Sequence, residues 1–122
     1  MEMKTRDKGI VTIVDIRGRV TFGESDAALR ATILGLLDKG RKQILLNLED
    51  TSYVDSSGLA QFVACYKQAD EGNGRVKLLK PRAGIRQLLS LTGLDSVLEV
   101  YSEEAAAVAS FDGRASRPLP LP

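Results

Sequence analysis

The chain has 122 residues, 43% hydrophobic and 27% charged, the composition of one soluble globular domain. Its 17 lysines and arginines against 16 acidic residues leave a net charge of +1, so neither direct nucleic-acid binding nor membrane insertion is expected. Histidine is absent and cysteine occurs once, at Cys65, which excludes Ser-His-Asp and Cys-His catalysis, histidine-ligated metal and an internal disulfide.

In chain order, residues 3–6 read as a short edge strand, turned by Asp7-Lys8-Gly9 into the β-branched run at 10–16, and the two are expected to pair antiparallel. Gly18 is expected to break that run. In Val20-Thr21-Phe22-Gly23-Glu24 the spacing of Thr21 and Glu24 is that of a capping box, Thr21 reaching forward and Glu24 back. It predicts a first helix with the apolar face Leu29, Ile33, Leu36 and Leu37 and a left-handed stop at Gly40. A strand at 44–48 follows, then a polar link, Glu49-Asp50-Thr51-Ser52.

From Leu59 the apolar positions Leu59, Phe62, Val63 and Tyr66 fall at i, i+3, i+4 and i+7, predicting a helix from near Ser56 to about Glu71. Cys65 lies on it and reads as a small structural residue, of the core or its boundary, in a reducing compartment. Gly72-Asn73-Gly74 is a helix stop, and 75–80 is a strand with Val76 and Leu78 on one face and Lys77 and Leu79 on the other, ended by Pro81. Ile85, Leu88 and Leu89 mark a shorter helix stopped at Gly93, and 97–101 is a last strand. Ser102 is placed to cap a final helix at 103–111. The charged N-terminus and the lack of a long apolar run lead to the expectation of a cytoplasmic protein.

This order predicts a small α/β domain over residues 1–111, with an opening β-hairpin, a mixed, mostly parallel sheet of about five strands and about four helices. Residues 112–122 lack periodicity, and Pro118, Pro120 and Pro122 suit a disordered tail. In such sheets functional groups gather outside the carboxyl ends of the strands, which nominates Asp55-Ser56-Ser57. Backbone N–H groups of a first helical turn lack intrahelical partners and favour hydroxyls and anions. Two readings of the serines follow: helix capping, for which one hydroxyl or Asp55 itself would suffice, or a modification site. No Gly-x-Ser-x-Gly elbow and no phosphate loop occur in the sequence. Neither independent catalysis nor a cofactor or metal is therefore expected.

Tyr53-Val54-Asp55-Ser56-Ser57-Gly58-Leu59 resembles the phosphorylation-site signature of the STAS domain of bacterial anti-sigma factor antagonists. The likeness extends, in matching order, to Gly18-Arg19-Val20, Ile44-Leu45-Leu46-Asn47-Leu48, Gly74-Arg75-Val76-Lys77-Leu78-Leu79, Leu88-Leu89 and Thr92-Gly93-Leu94, covering about residues 10–111. The resemblance implies a STAS-type fold and makes Ser56 the phosphoacceptor. It implies binding to an anti-sigma factor that is also an ATP-dependent serine kinase, which frees a sigma factor. Phosphorylation then releases the antagonist, a PP2C-type phosphatase resets it, and the free protein is a monomer.

Asp55 would shape the loop and Ser57 would be an auxiliary hydroxyl, with Leu59 and Thr21 on the same partner-binding surface. Gly58 would either admit the partner's backbone closely or serve a turn. Two departures stand out: relatives often carry an acidic residue where Thr21 stands, and many have a second glycine where Ala60 stands. Two alternatives accompany this reading: a kinase-independent accessory subunit or scaffold of an ABC-type lipid transporter, and a weak nucleotide-binding domain. Lys80, Arg82 and Arg86 form either a patch for an acidic partner or ordinary solvated charge.

Overall fold

The structure, a computed structural model, describes residues 1–112; apart from Asp112, the expected tail lies outside them. β1 (Glu2–Lys8) and β2 (Val11–Val20) form the opening antiparallel hairpin, in register from Glu2 opposite Arg17 to Lys8 opposite Val11. Gly18 does not end β2. It sits at φ 101°, a backbone geometry closed to most side chains, and the register shifts between it and Arg19. There β2 changes partner. Val11 to Asp15 pair in parallel with β3 (Gln43–Asn47), and Gly18 to Val20 pair in parallel with β4 (Thr51–Val54).

β4 occupies ground that reads as a polar link in the sequence. Its Thr51 and Val54 point inward while Ser52 and Tyr53 face solvent, and Thr51 Oγ1 donates a 2.8 Å hydrogen bond to the Ile16 carbonyl. The sheet runs β1-β2-β3-β5-β6, with β5 (Arg75–Leu79) and β6 (Val100–Tyr101) parallel to their neighbours and β4 beside the far half of β2.

Strand side chains alternate between two faces, and both are covered. Val14, Ile16, Val20, Ile44, Leu46, Val54, Val76 and Leu78 share one apolar cluster with residues of α1 (Glu24–Asp38), α2 (Ser56–Glu71) and α3 (Ala83–Leu91). Val11, Ile13, Leu45 and Leu79 lie on the other face, under Ala107 of α4 (Glu104–Ala109) and Phe111 just beyond it. Lys77 belongs to that second face and is buried there. Its Nζ donates to the Ser110 carbonyl (2.9 Å) and hydroxyl (3.0 Å) and lies 4.7 Å from the Phe111 ring centre. At the start of α4 the same face turns polar: Arg6 bridges Asp15 (2.8 Å) and Glu104 (2.6 Å), and Asn47 donates to Asp15.

Three local expectations need correction. The start of α1 uses a different box: the Gly23 N–H donates to the Asp26 carboxylate (3.0 Å), while Ser25 Oγ accepts from the Thr21 N–H (2.7 Å), so Thr21 and Glu24 do not cap each other. The last strand is two residues long because Leu94–Ser96 form a 3-10 turn ahead of it, leaving Val97 exposed. Ser102 does not cap α4; the N-cap is Glu103, without a side-chain bond, and the Ser102 hydroxyl accepts from Arg86.

Candidate functional site

Val20 and Val54 are paired at the carboxyl edge of the sheet. Two residues beyond them stand Phe22, on the way into α1, and Ser56, the first residue of α2. Asp55, in extended conformation, is the N-cap of α2. Its Oδ1 accepts the Gly58 N–H at 2.9 Å and its Oδ2 accepts the Phe22 N–H at 3.0 Å. Its own N–H donates to the Val20 carbonyl at 3.3 Å. One carboxylate thus serves as helix cap and as a bridge to the neighbouring loop. The Phe22 and Gly58 N–H groups hold it below the ordinary carboxylate range, because both bonds favour the ionised form.

With Asp55 as the cap, neither serine is needed for capping. Ser56 is exposed and Ser57 half-buried, and among the described residues neither hydroxyl takes a hydrogen bond. A solvent-facing, uncommitted hydroxyl at the positive end of a 16-residue helix is open to chemistry from outside.

Gly58 and Leu59 both lie in the interior. Gly58 is buried, and a Cβ on it would collide with the Val20 carbonyl oxygen and come within 2.7 Å of Val54 Cγ1. The backbone it admits closely is therefore the chain's own β2, not a partner's. Leu59 is 7% exposed and belongs to the main apolar cluster. Together they seat the first turn of α2 on the sheet and so fix Ser56 from beneath. Thr21 is half-buried; its N–H and carbonyl are both held by the Ser25 hydroxyl, at 2.7 and 2.9 Å.

Two aromatics near the Asp55 cap, Phe22 and Tyr53, are exposed, and the sequence pattern assigns neither ring a role of its own. Phe22 is 81% exposed. Tyr53 is half in solvent beneath the Arg19 guanidinium, 4.8 Å from the ring centre. The signal for each is position: a large ring among small or polar residues, Phe22 in the loop after β2 and Tyr53 in β4, close to the nominated edge.

Elsewhere, Cys65 is buried in the core, where burial pushes its thiol up to about 12. Lys80 pairs with Glu49 (3.6 Å), Arg82 donates to the Glu49 carbonyl (3.0 Å) and Arg86 to Ser102, so the three basic residues are engaged within the chain. Among the described residues no cluster of His, Cys, Asp or Glu could hold a metal ion, and no helix is long and apolar enough to cross a membrane.

Residues 2–107 match the STAS domain family model, and the chain belongs to that family. The anti-sigma-B factor antagonist of Bacillus subtilis is 28% identical over 95 residues, covering 78% of this chain and 85% of that protein. The crystal structure of Thermotoga maritima TM1081 superposes with a TM-score of 0.83 at 24% identity, covering 89% of this chain and 93% of that one. The Bacillus anti-sigma factor antagonist SpoIIAA matches in its unphosphorylated form (TM-score 0.70, 19% identity, 92% and 99% covered) and in its phosphorylated form (0.69, 21%, 88% and 97%). The α/β fold read from the sequence, with its opening hairpin and mostly parallel sheet, is thus the STAS fold.

Proposed function

We propose that this protein is an anti-sigma factor antagonist whose partner is an anti-sigma factor with serine kinase activity, and that phosphorylation of Ser56 releases it from that partner. The observation that carries the reading is the Ser56 hydroxyl: exposed and outside the cap that Asp55 provides. Antagonist relatives and the existence of a phosphorylated SpoIIAA support it.

The geometry suits a switch of surface chemistry. A phosphate on Ser56 adds about −1.5 to −2 charge and a tetrahedral group. Within the domain that charge meets the positive end of α2 and is tolerated. At a docked interface it meets whatever surface had accepted a neutral hydroxyl beside the Asp55 carboxylate. Like-charge repulsion and lost fit then weaken the complex while the fold stays as it is. Ser57 is an auxiliary hydroxyl on the same turn. A PP2C-type phosphatase resets the protein, which works in the cytoplasm and exchanges partners as a monomer.

The test is ATP-dependent phosphorylation by anti-sigma kinases of the source genome, read by intact mass and site mapping. One phosphate on Ser56 in the wild type and none in Ser56→Ala supports the reading. Absence of phosphate with every such kinase, together with equal partner binding by Ser56→Ala and Ser56→Asp, overturns it in favour of a kinase-independent scaffold role.

A further inference from the structure

We propose that Phe22 is the anchor residue by which the kinase partner grips this domain, and that Asp55 is the positioning residue tying that anchor to Ser56; this rests on the switch proposed above. The chain has three phenylalanines. Phe62 and Phe111 are in the core, at 0% and 2% exposure, while Phe22 stands 81% in solvent. An aromatic ring left out of the core has no packing role in the domain, and aromatic rings are enriched among the few residues that dominate protein interfaces.

The loop that displays Phe22 is held at three successive N–H groups. Thr21 donates to Ser25 Oγ at 2.7 Å, Phe22 to Asp55 Oδ2 at 3.0 Å and Gly23 to Asp26 Oδ1 at 3.0 Å. A fourth tie, from the Asp26 N–H to the Thr21 carbonyl at 3.2 Å, closes the turn. A side chain exposed on so constrained a backbone loses little conformational freedom on binding. It also lies in a fixed relation to the serine. Phe22 and Ser56 each stand two residues past the paired Val20 and Val54, and the Phe22 N–H is bonded at 3.0 Å to the carboxylate of Asp55, the residue before Ser56.

The middle tie is the informative one, because its acceptor is the residue that caps the serine helix. The partner it fits is one with an apolar pocket opening beside its phosphoryl-transfer cleft. Phe22 fills the pocket and Asp55 sets the distance, so the ring governs how tightly the domain is held. The hydroxyl governs whether it is modified.

The chain contains no tryptophan, so Phe22→Trp carries a single indole reporter at the proposed anchor. The measurement uses MgATP and the anti-sigma kinase that modifies wild-type Ser56, with steady-state phosphorylation of wild type, Phe22→Ala, Phe22→Trp and Asp55→Ser. Serine is itself a good N-cap, so Asp55→Ser keeps the cap while removing the second oxygen that holds Phe22. The expected result for Phe22→Ala is a KM raised about 30-fold or more with kcat unchanged. Phe22→Trp should keep near-normal KM, with a blue-shifted emission on kinase addition. Asp55→Ser should raise KM with kcat unchanged, and its Phe22 amide should exchange faster with solvent while the β2 amides keep their protection. A normal KM for Phe22→Ala, or an unshifted indole emission when Phe22→Trp is in a formed complex, overturns the anchor while phosphorylation of Ser56 stands. If no kinase modifies wild-type Ser56, the switch fails and the anchor falls with it.

Discussion

Gly58→Ala tests whether the site is fixed by the close approach of α2 to the sheet. The added methyl meets the Val20 carbonyl oxygen, a backbone atom that cannot rotate away, and comes within 2.7 Å of Val54 Cγ1. Relieving that overlap by moving the helix start or the strand end costs about 2–3 kcal/mol, the upper range for an overpacked core. Alanine's better helix propensity returns at most about 1 kcal/mol. The net loss is then about 1–3 kcal/mol, or a Tm lowered by roughly 4–15 °C for a domain of this size. Gly35→Ala is the internal control: it lies inside α1 with nothing within 4 Å of the added Cβ, and should gain up to about 1 kcal/mol. Calorimetry of both variants reads the difference in sign. A Gly58→Ala protein as stable as wild type would refute the argument that the first turn of α2 is pinned against β2, and with it the account of how Ser56 is placed.

Other outcomes follow from the polar face and the buried groups. Glu104 is held below its ordinary 4.5 chiefly by the Arg6 hydrogen bond, and Asp15 below 3.8 because bonds from Arg6 and Asn47 outweigh its partial burial. Both folded values are depressed, so their stabilisation is full above about pH 4.5 and is lost as the pH falls through the lower folded values. Wild type should therefore be more stable than Arg6→Met at neutral pH, with the gap closing in acid; a gap constant with pH in urea melts contradicts this. Lys77→Ala leaves a cavity and strips the Ser110 carbonyl of its donor, and should cost about 2–4 kcal/mol. Lys77→Met fills the space and should recover much of that loss, whereas equal urea midpoints for the two variants would show that packing around residue 77 does not hold α4. Cys65, 3% exposed with its thiol near 12, should react with iodoacetamide at least about a hundredfold more slowly in the folded protein than in urea. Equal rates would show that the core around Cys65 opens freely.

The elements legible in the sequence are those with a long period or a strong boundary. The β-branched run of β2, the apolar alternation of β5 and the i, i+3, i+4, i+7 face of α2 all form where the pattern places them. What escapes is short or depends on tertiary partners. β4 has only Thr51 and Val54 facing inward, too few to show a period, and it exists because β2 continues past Gly18 to pair with it. Gly18 marks a bulge, and a sequence cannot separate a bulge from a stop when the partner strand is unknown.

At the site, the nomination of Asp55 and Ser56 rests on the strand-to-helix handover, which is local and is present. Asp55 can be named as a possible cap from spacing alone. Its second bond, to Phe22 across 33 residues, cannot. The close fit of Gly58 against Val20 is equally hidden, since the role of a glycine is decided by what stands opposite its missing side chain. Lys77 alternates correctly, but the burial of that face by α4 is set by a helix 27 residues further on.

The central claim is that a phosphate on Ser56 changes the surface and leaves the fold alone. Its most direct test is to titrate one partner kinase, with a non-hydrolysable ATP analogue, against unmodified protein and against protein stoichiometrically phosphorylated on Ser56, comparing affinities and amide spectra of the two forms. The account requires a Kd at least about tenfold weaker for the phosphorylated form, with spectral changes confined to the α2 start and the Phe22 loop. Equal affinities, or spectral changes spread through the sheet, would contradict it.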